Sequence, residues 1–206
     1  MEYYIYDIPL FVVNAPEGSV DIPGFCEEVE ETLPRKLLYN VEVVYLGEFR
    51  ELQGRNATYA NGAIYMTSRE PTNFDMLENF VHEVAHSLEE RYGMQIYDDL
   101  LVGEFKGKRD RLYYILTAEG HHINPILYSY TEYNPKFDNF LANEVGYPTL
   151  LSLTMGLFVS PYGATSIQEY FANGFEKYYL DNPRRVRDIS PILYRKIEEI
   201  INDDEA

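Results

Sequence analysis

The sequence predicts an α+β fold in which a small twisted N-terminal sheet with helices precedes a helical C-terminal part. Three observations predict it. Short β-branched and aromatic runs alternate with a helical pattern in the first part of the chain, one long amphipathic helix pattern follows them, and helical patterns return near the C-terminus. The 206 residues, 46% hydrophobic and 25% charged, suffice for one sizeable core. We therefore expect a single domain over 1–206 with an insertion around 96–153.

Residues 3–13 are β-branched and aromatic and read as a strand. Residues 22–38 read as a helix with acidic residues early and Arg35 and Lys36 late, the polarity that suits a helix dipole. Residues 41–46 read as a second strand, 51–61 as a polar connection, and Ala63-Ile64-Tyr65-Met66-Thr67 as a short third strand. A helix then starts after Pro71, capped by Thr72 or Asn73. Leu77, Val81, Val84 and Leu88 form its apolar stripe and Gly93 is its expected stop. Residues 96–153 mix helical patches with Gly, Pro and Tyr-rich turns and show no clean period. From Thr165, the positions Ile167, Tyr170, Phe171, Phe175 and Tyr178 mark another helix face, ending near Asp181-Asn182-Pro183. Ser190-Pro191 opens a last helix, with Ser as N-cap and Leu193, Ile197, Ile200 and Ile201 as its packing face.

The central helix carries His82-Glu83-Val84-Ala85-His86. Four residues are close to one helical turn, so both imidazoles leave one face, and two neutral imidazole nitrogens suit Zn²⁺. The carboxylate of Glu83, next to the first His, is placed to take a proton from a water at that metal. The motif thus predicts a zinc hydrolase. In many zinc peptidases the strand just upstream is a sheet edge to which an extended substrate adds, which makes Ala63, Ile64 and Tyr65 candidate substrate-binding residues.

Catalytic zinc usually takes three protein ligands and keeps one position for water. A third His six residues after the second, with an intervening Gly, is excluded because those positions are Tyr92 and Glu89. His121 and His122 follow Gly120 and read as solvated loop residues. A Glu from a later helix, the gluzincin arrangement, leaves Glu169 as the first candidate and Glu144, in Ala142-Asn143-Glu144-Val145, as the second. Ser166 and Glu169 also fit a capping box that would occupy the carboxylate, whereas Thr165 with Gln168 makes the same box one residue earlier and leaves Glu169 for other work.

The pentad together with Tyr162, Glu169-Tyr170-Phe171-Ala172 and Phe175 resembles the zinc-peptidase domain of the anthrax lethal factor family, which includes the Pro-Pro endopeptidases. The resemblance covers the motif helix and roughly 158–201, and it includes a Tyr seven residues before the ligand Glu. It implies a zincin-like metallopeptidase domain in which His82, His86 and Glu169 bind one Zn²⁺. It also implies that Glu83 is the general base and that Tyr162 donates a hydrogen bond to the transition state. The chain departs from the compact members in length, since Glu169 lies 83 residues after His86. Substrate choice therefore does not carry over. Asn173, one turn after Glu169, is a candidate to orient a ligand His through its amide oxygen.

Composition narrows the partners. A net charge of −17 opposes nucleic-acid binding, while 20 Tyr supply the amphipathic rings that peptide-binding grooves use. The lone Cys26 excludes an intrachain disulfide and reads as a small buried hydrophobe. Glu2 and Asp7 stand where a secretory signal would be basic, and the longest apolar-rich run, 150–159, is too short to span a bilayer. The expectation is a soluble protein, cytoplasmic or released without a leader unless this is a mature form. Its expected partner is a protein or peptide substrate. The competing expectations are a zinc-containing binding protein without catalysis and a zinc hydrolase of a non-peptide amide.

Overall fold

Five strands form one mixed sheet in the order β1-β2-β3-β5-β4, namely β1 (Glu2–Ile5), β2 (Ile8–Val12), β3 (Val43–Leu46), β4 (Ala57–Ala60) and β5 (Ala63–Met66). The computed structural model describes residues 1–16 and 19–203. It is a mixed α+β structure made of two units, Met1–Gly93 with Asp203 and Met94–Asn202.

In the first unit, the run expected as one strand is a hairpin. β1 and β2 pair antiparallel around Tyr6 and Asp7, and Tyr6 adopts a left-handed φ of 56°. That turn is held from outside: the Tyr6 amide donates to Glu30, and its hydroxyl donates to the carbonyls of Glu30 and Leu33 at 2.8 and 3.0 Å. α1 (Ile22–Thr32) starts at Asp21, whose carboxylate accepts from Gly24 N, and it ends earlier than expected. Leu33 is extended because Pro34 follows, and residues 35–38 form a separate 3₁₀ turn.

β3 pairs parallel with β2 and β5, while β4 pairs antiparallel with β5. β4 lies inside the stretch 51–61 that reads from sequence as a polar connection. Its hairpin with β5 closes through Asn61 and Gly62, both with positive φ, 50° and 82°. Asn-Gly is the dipeptide that such a two-residue turn demands. Ile8, Leu10, Val44, Leu46, Ile64 and Met66 are buried on one face of the sheet. On the other face Phe11, Tyr45 and Tyr65 lie in register across three strands, their rings 5.9 and 5.3 Å apart.

α2 (Asn73–Ile96) begins at Thr72, whose hydroxyl accepts from Asp75 N at 3.2 Å. Its start is fixed to the start of α1 by a reciprocal pair, Asp21 N to Asn73 Oδ1 at 2.9 Å and Asn73 Nδ2 to Asp21 O at 3.1 Å. The expected stripe of Leu77, Val81, Val84 and Leu88 is buried, joined by Met76 and Phe80. Gly93 does not stop the helix. Tyr92 and Ile96 on either side of it are buried, and that packing outweighs the roughly 1 kcal/mol that a mid-helix Gly costs. Cys26 in α1 is buried as expected, and desolvation together with Glu30 and Asp21 pushes its thiol up to about 11.

The second unit opens with α3 (Asp99–Ala118), capped by Asp98, which accepts from Leu100 N and Leu101 N. Its buried positions, Leu101, Phe105, Lys108, Arg109, Leu112 and Leu116, keep helical spacing but include two cations. α4 (Pro135–Asn139) runs into a π-helical stretch (Phe140–Gly146) and then α5 (Tyr147–Leu153). α6 (Ile167–Leu180), α7 (Pro183–Ile189) and α8 (Pro191–Ile201) complete it. Ser190 holds the N-cap position of α8 but does not cap it. Glu104 of α3 does so instead, accepting from Ile192 N at 2.9 Å and Leu193 N at 3.1 Å, and from Tyr170 Oη at 2.9 Å. α6 and α8 approach so closely at Gly174 that an added Cβ would stand 2.3 Å from Leu193 Cδ2. Among the described residues no helix is long and apolar enough to cross a membrane.

Candidate metal and catalytic site

α2 presents His82 and His86 one turn apart on one face, their ring centroids 5.0 Å apart. His86 Nδ1 lies 2.7 Å from Glu89 Oε1. With that nitrogen engaged by a carboxylate, Nε2 is the lone-pair nitrogen left for a metal, and the ring's orientation is fixed. Asn173, the other candidate to orient a ligand His, donates its amide nitrogen to the Glu169 carbonyl at 2.8 Å within its own helix.

Glu83 is 9% exposed, and its Oε2 accepts from the Tyr59 amide at 2.7 Å. The register explains this contact. Ala60 and Ala63 flank the two-residue turn as the hydrogen-bonded pair, so Tyr59, opposite Ile64, turns its N–H away from β5. The Tyr59 hydroxyl donates to Glu90 at 2.7 Å and to Asn40 O at 3.2 Å, which ties β4 to the next turns of α2. Burial and Glu90 raise that phenol to about 12, so it stays a neutral donor.

β5 is not the sheet edge. Ala63, Ile64 and Tyr65 pair with β3 on one side and β4 on the other, so their backbone has no side left for a substrate strand. The hairpin hidden in the polar stretch adds β4 outside them, and β4 is the edge.

In the second unit Tyr162 lies in a 3₁₀ turn (Pro161–Ala164) just before α6. The turn is gripped by Arg109, which is 1% exposed. Its guanidinium donates to Ala164 O at 2.6 Å and, more weakly, to Thr165 O at 3.4 Å, and a second arm reaches Leu127 O at 2.5 Å. The Phe137 ring lies 3.9 Å from the guanidinium carbon. Ser166, not Thr165, is the N-cap, accepting from Glu169 N at 3.1 Å. The Thr165 hydroxyl instead donates back to Tyr162 O at 2.7 Å. The Tyr162 hydroxyl stands 3.5 Å from Glu169 Oε1, at the long limit of a hydrogen bond.

One ligand atom each from His82, His86 and Glu169 lie within 4.8 Å of one another, a group that can hold a metal ion. Two imidazoles and one carboxylate are a donor set that suits Zn²⁺. The second-ranked ligand candidate, Glu144, is exposed in the π-helical stretch and is not part of this group, and His121 and His122 lie in the connection after α3. Sequence reasoning missed Glu89, the Tyr59 amide and Arg109. Glu89 was within reach of it, because a residue three positions after a ligand His shares its helix face. Comparison with known protein families, with curated proteins and with solved structures gives no match.

Proposed function

We propose that this chain is a zinc-dependent endopeptidase with a zincin-like fold of the lethal factor-like, gluzincin type. The observation that carries the reading is the convergence of His82, His86 and Glu169 on one ligand-sized volume. The position of Glu83 next to His82, and of the Tyr162 hydroxyl beside Glu169, supports it.

His82, His86 and Glu169 would hold the zinc, which when bound would supply a Lewis acid for the scissile carbonyl and lower the pKa of a water toward ~7. Glu83 takes the proton of the attacking water. Its Oε2 is fixed by the Tyr59 amide, so the carboxylate enters the reaction already oriented. The same carboxylate then delivers the proton to the leaving amine, which restores the base. The Tyr162 hydroxyl donates to the oxygen that gains negative charge. An extended peptide would approach along β4, the sheet edge on the Glu83 side, where the Tyr59 N–H is already taken by Glu83, rather than along the internal β5.

The test is a peptide-library digest with zinc-loaded protein, with and without a chelator, read by mass spectrometry. Cleavage that chelator abolishes and added zinc restores is the expected result. Zinc bound at one equivalent with no peptide cleaved would remove the peptidase reading and favour a binding protein or a hydrolase of another amide.

A further inference from the structure

We propose that Tyr147 is a positioning residue for Tyr162, holding that phenol at the Glu169 carboxylate. Its kinetic consequence rests on the endopeptidase reading; the geometry belongs to the second unit alone.

A short 3₁₀ turn fixes backbone but leaves the rotamer of an exposed-side aromatic to its neighbours. The backbone of the Tyr162 turn is already secured by Arg109 and by Thr165. For the ring, the structure places Tyr147 edge-on to Tyr162, with centroids 6.4 Å apart and planes at 69°. Edge-to-face contact between two phenols constrains direction as well as distance, because the positive edge of one ring seeks the negative face of the other.

The chain is shaped to deliver this contact. Tyr147 is the first residue of α5, and the preceding Gly146 has φ 82° and ψ 135°, a conformation that side chains with a Cβ rarely adopt. The π-helical stretch therefore ends in a bend only Gly supports well, and α5 packs against both that stretch and the Pro161–Ala164 turn. Tyr147 is half-buried. Burial pushes its hydroxyl up to about 12, with Asp138, Tyr133 and Glu169 adding to the effect, so it stays neutral and acts through shape rather than by moving a proton.

The role separates from ordinary packing by comparing Tyr147→Phe, which keeps the ring, with Tyr147→Ala and Tyr147→Leu, which remove it. The first readout is nitration of Tyr162 by tetranitromethane in metal-free protein, located by peptide mass mapping. Loss of the ring should raise the Tyr162 nitration rate several-fold, and the Phe variant should match the wild type. The second readout is kinetic, on a peptide cleaved by the wild type. kcat should fall about tenfold in the Leu and Ala variants with KM and zinc content unchanged, and Phe should restore it. Unaltered Tyr162 nitration in a folded Leu or Ala variant, or a Phe variant as impaired as Leu, would overturn the assignment. Altered nitration in a protein whose wild type shows no chelator-sensitive cleavage would leave Tyr147 as the positioning residue and sink the endopeptidase reading instead.

Discussion

His86 Nδ1 and Glu89 Oε1 stand 2.7 Å apart, one turn from each other on α2. A carboxylate behind a ligand imidazole fixes the tautomer and makes the ring a better donor, and losing it typically costs about 10–100-fold in metal affinity. We predict that Glu89→Ala weakens zinc binding by about that factor and that Glu89→Gln weakens it less, as measured by competition with a chromogenic chelator. Wild-type affinity in Glu89→Ala would show that the pair is incidental.

Glu83→Gln should keep stoichiometric zinc and lose peptide hydrolysis, because the amide can still meet the Tyr59 region but cannot accept a proton. Metal analysis of dialysed protein alongside the peptide digest checks both halves. Full turnover by the variant would take the general base away from residue 83.

Glu169→Ala should lower zinc content after dialysis, whereas Glu144→Ala should not, since Glu144 is exposed and outside the ligand group. The opposite pattern would transfer the third ligand to Glu144.

Tyr162→Phe should leave zinc content alone and reduce kcat by ~10²–10³, the usual cost of deleting one donor to a developing oxyanion. A change confined to KM would make Tyr162 a substrate contact only.

Lys108 gives a stability signature. Burial lowers its pKa from 10.5 to about 8, although its ammonium donates to Leu157 O at 2.6 Å and Ile189 O at 2.7 Å. Below about 8 both folded and unfolded chains carry the proton, so the cost of burying the charge is fully present. Between about 8 and 10.5 the unfolded chain binds more protons, so this lysine's contribution to stability grows as pH rises. Urea midpoints at pH 7.5 and pH 9.5 should therefore rise more in wild type than in Lys108→Met. Equal pH responses would refute the depressed pKa.

The parts of this fold that sequence exposed are those where burial and periodicity agree. α2 and α8 carry their apolar residues at the expected spacing, and both helices form there. α3 was hidden because Lys108 and Arg109 occupy core positions of its stripe, so a reading that scores cations as surface residues loses the period. β4 was hidden for a different reason. Thr58, Tyr59 and the two alanines of this edge strand make a weak strand signal, and only the Asn61-Gly62 turn marks the hairpin. The histidine pair on α2 was legible because a single helix sets its geometry. Glu89 carries no motif of its own beside His86, and the Tyr147–Tyr162 contact depends on how a π-helical stretch and a glycine bend the chain.

Cys26 has a practical consequence. Thiol-directed electrophiles react with the thiolate, and a shielded thiol held near 11 offers little of it at neutral pH. The protein thus arrives nearly silent to maleimides. A cysteine introduced at Met94, which is 96% exposed, would carry a fluorophore or spin label with almost no background from the native sulfur.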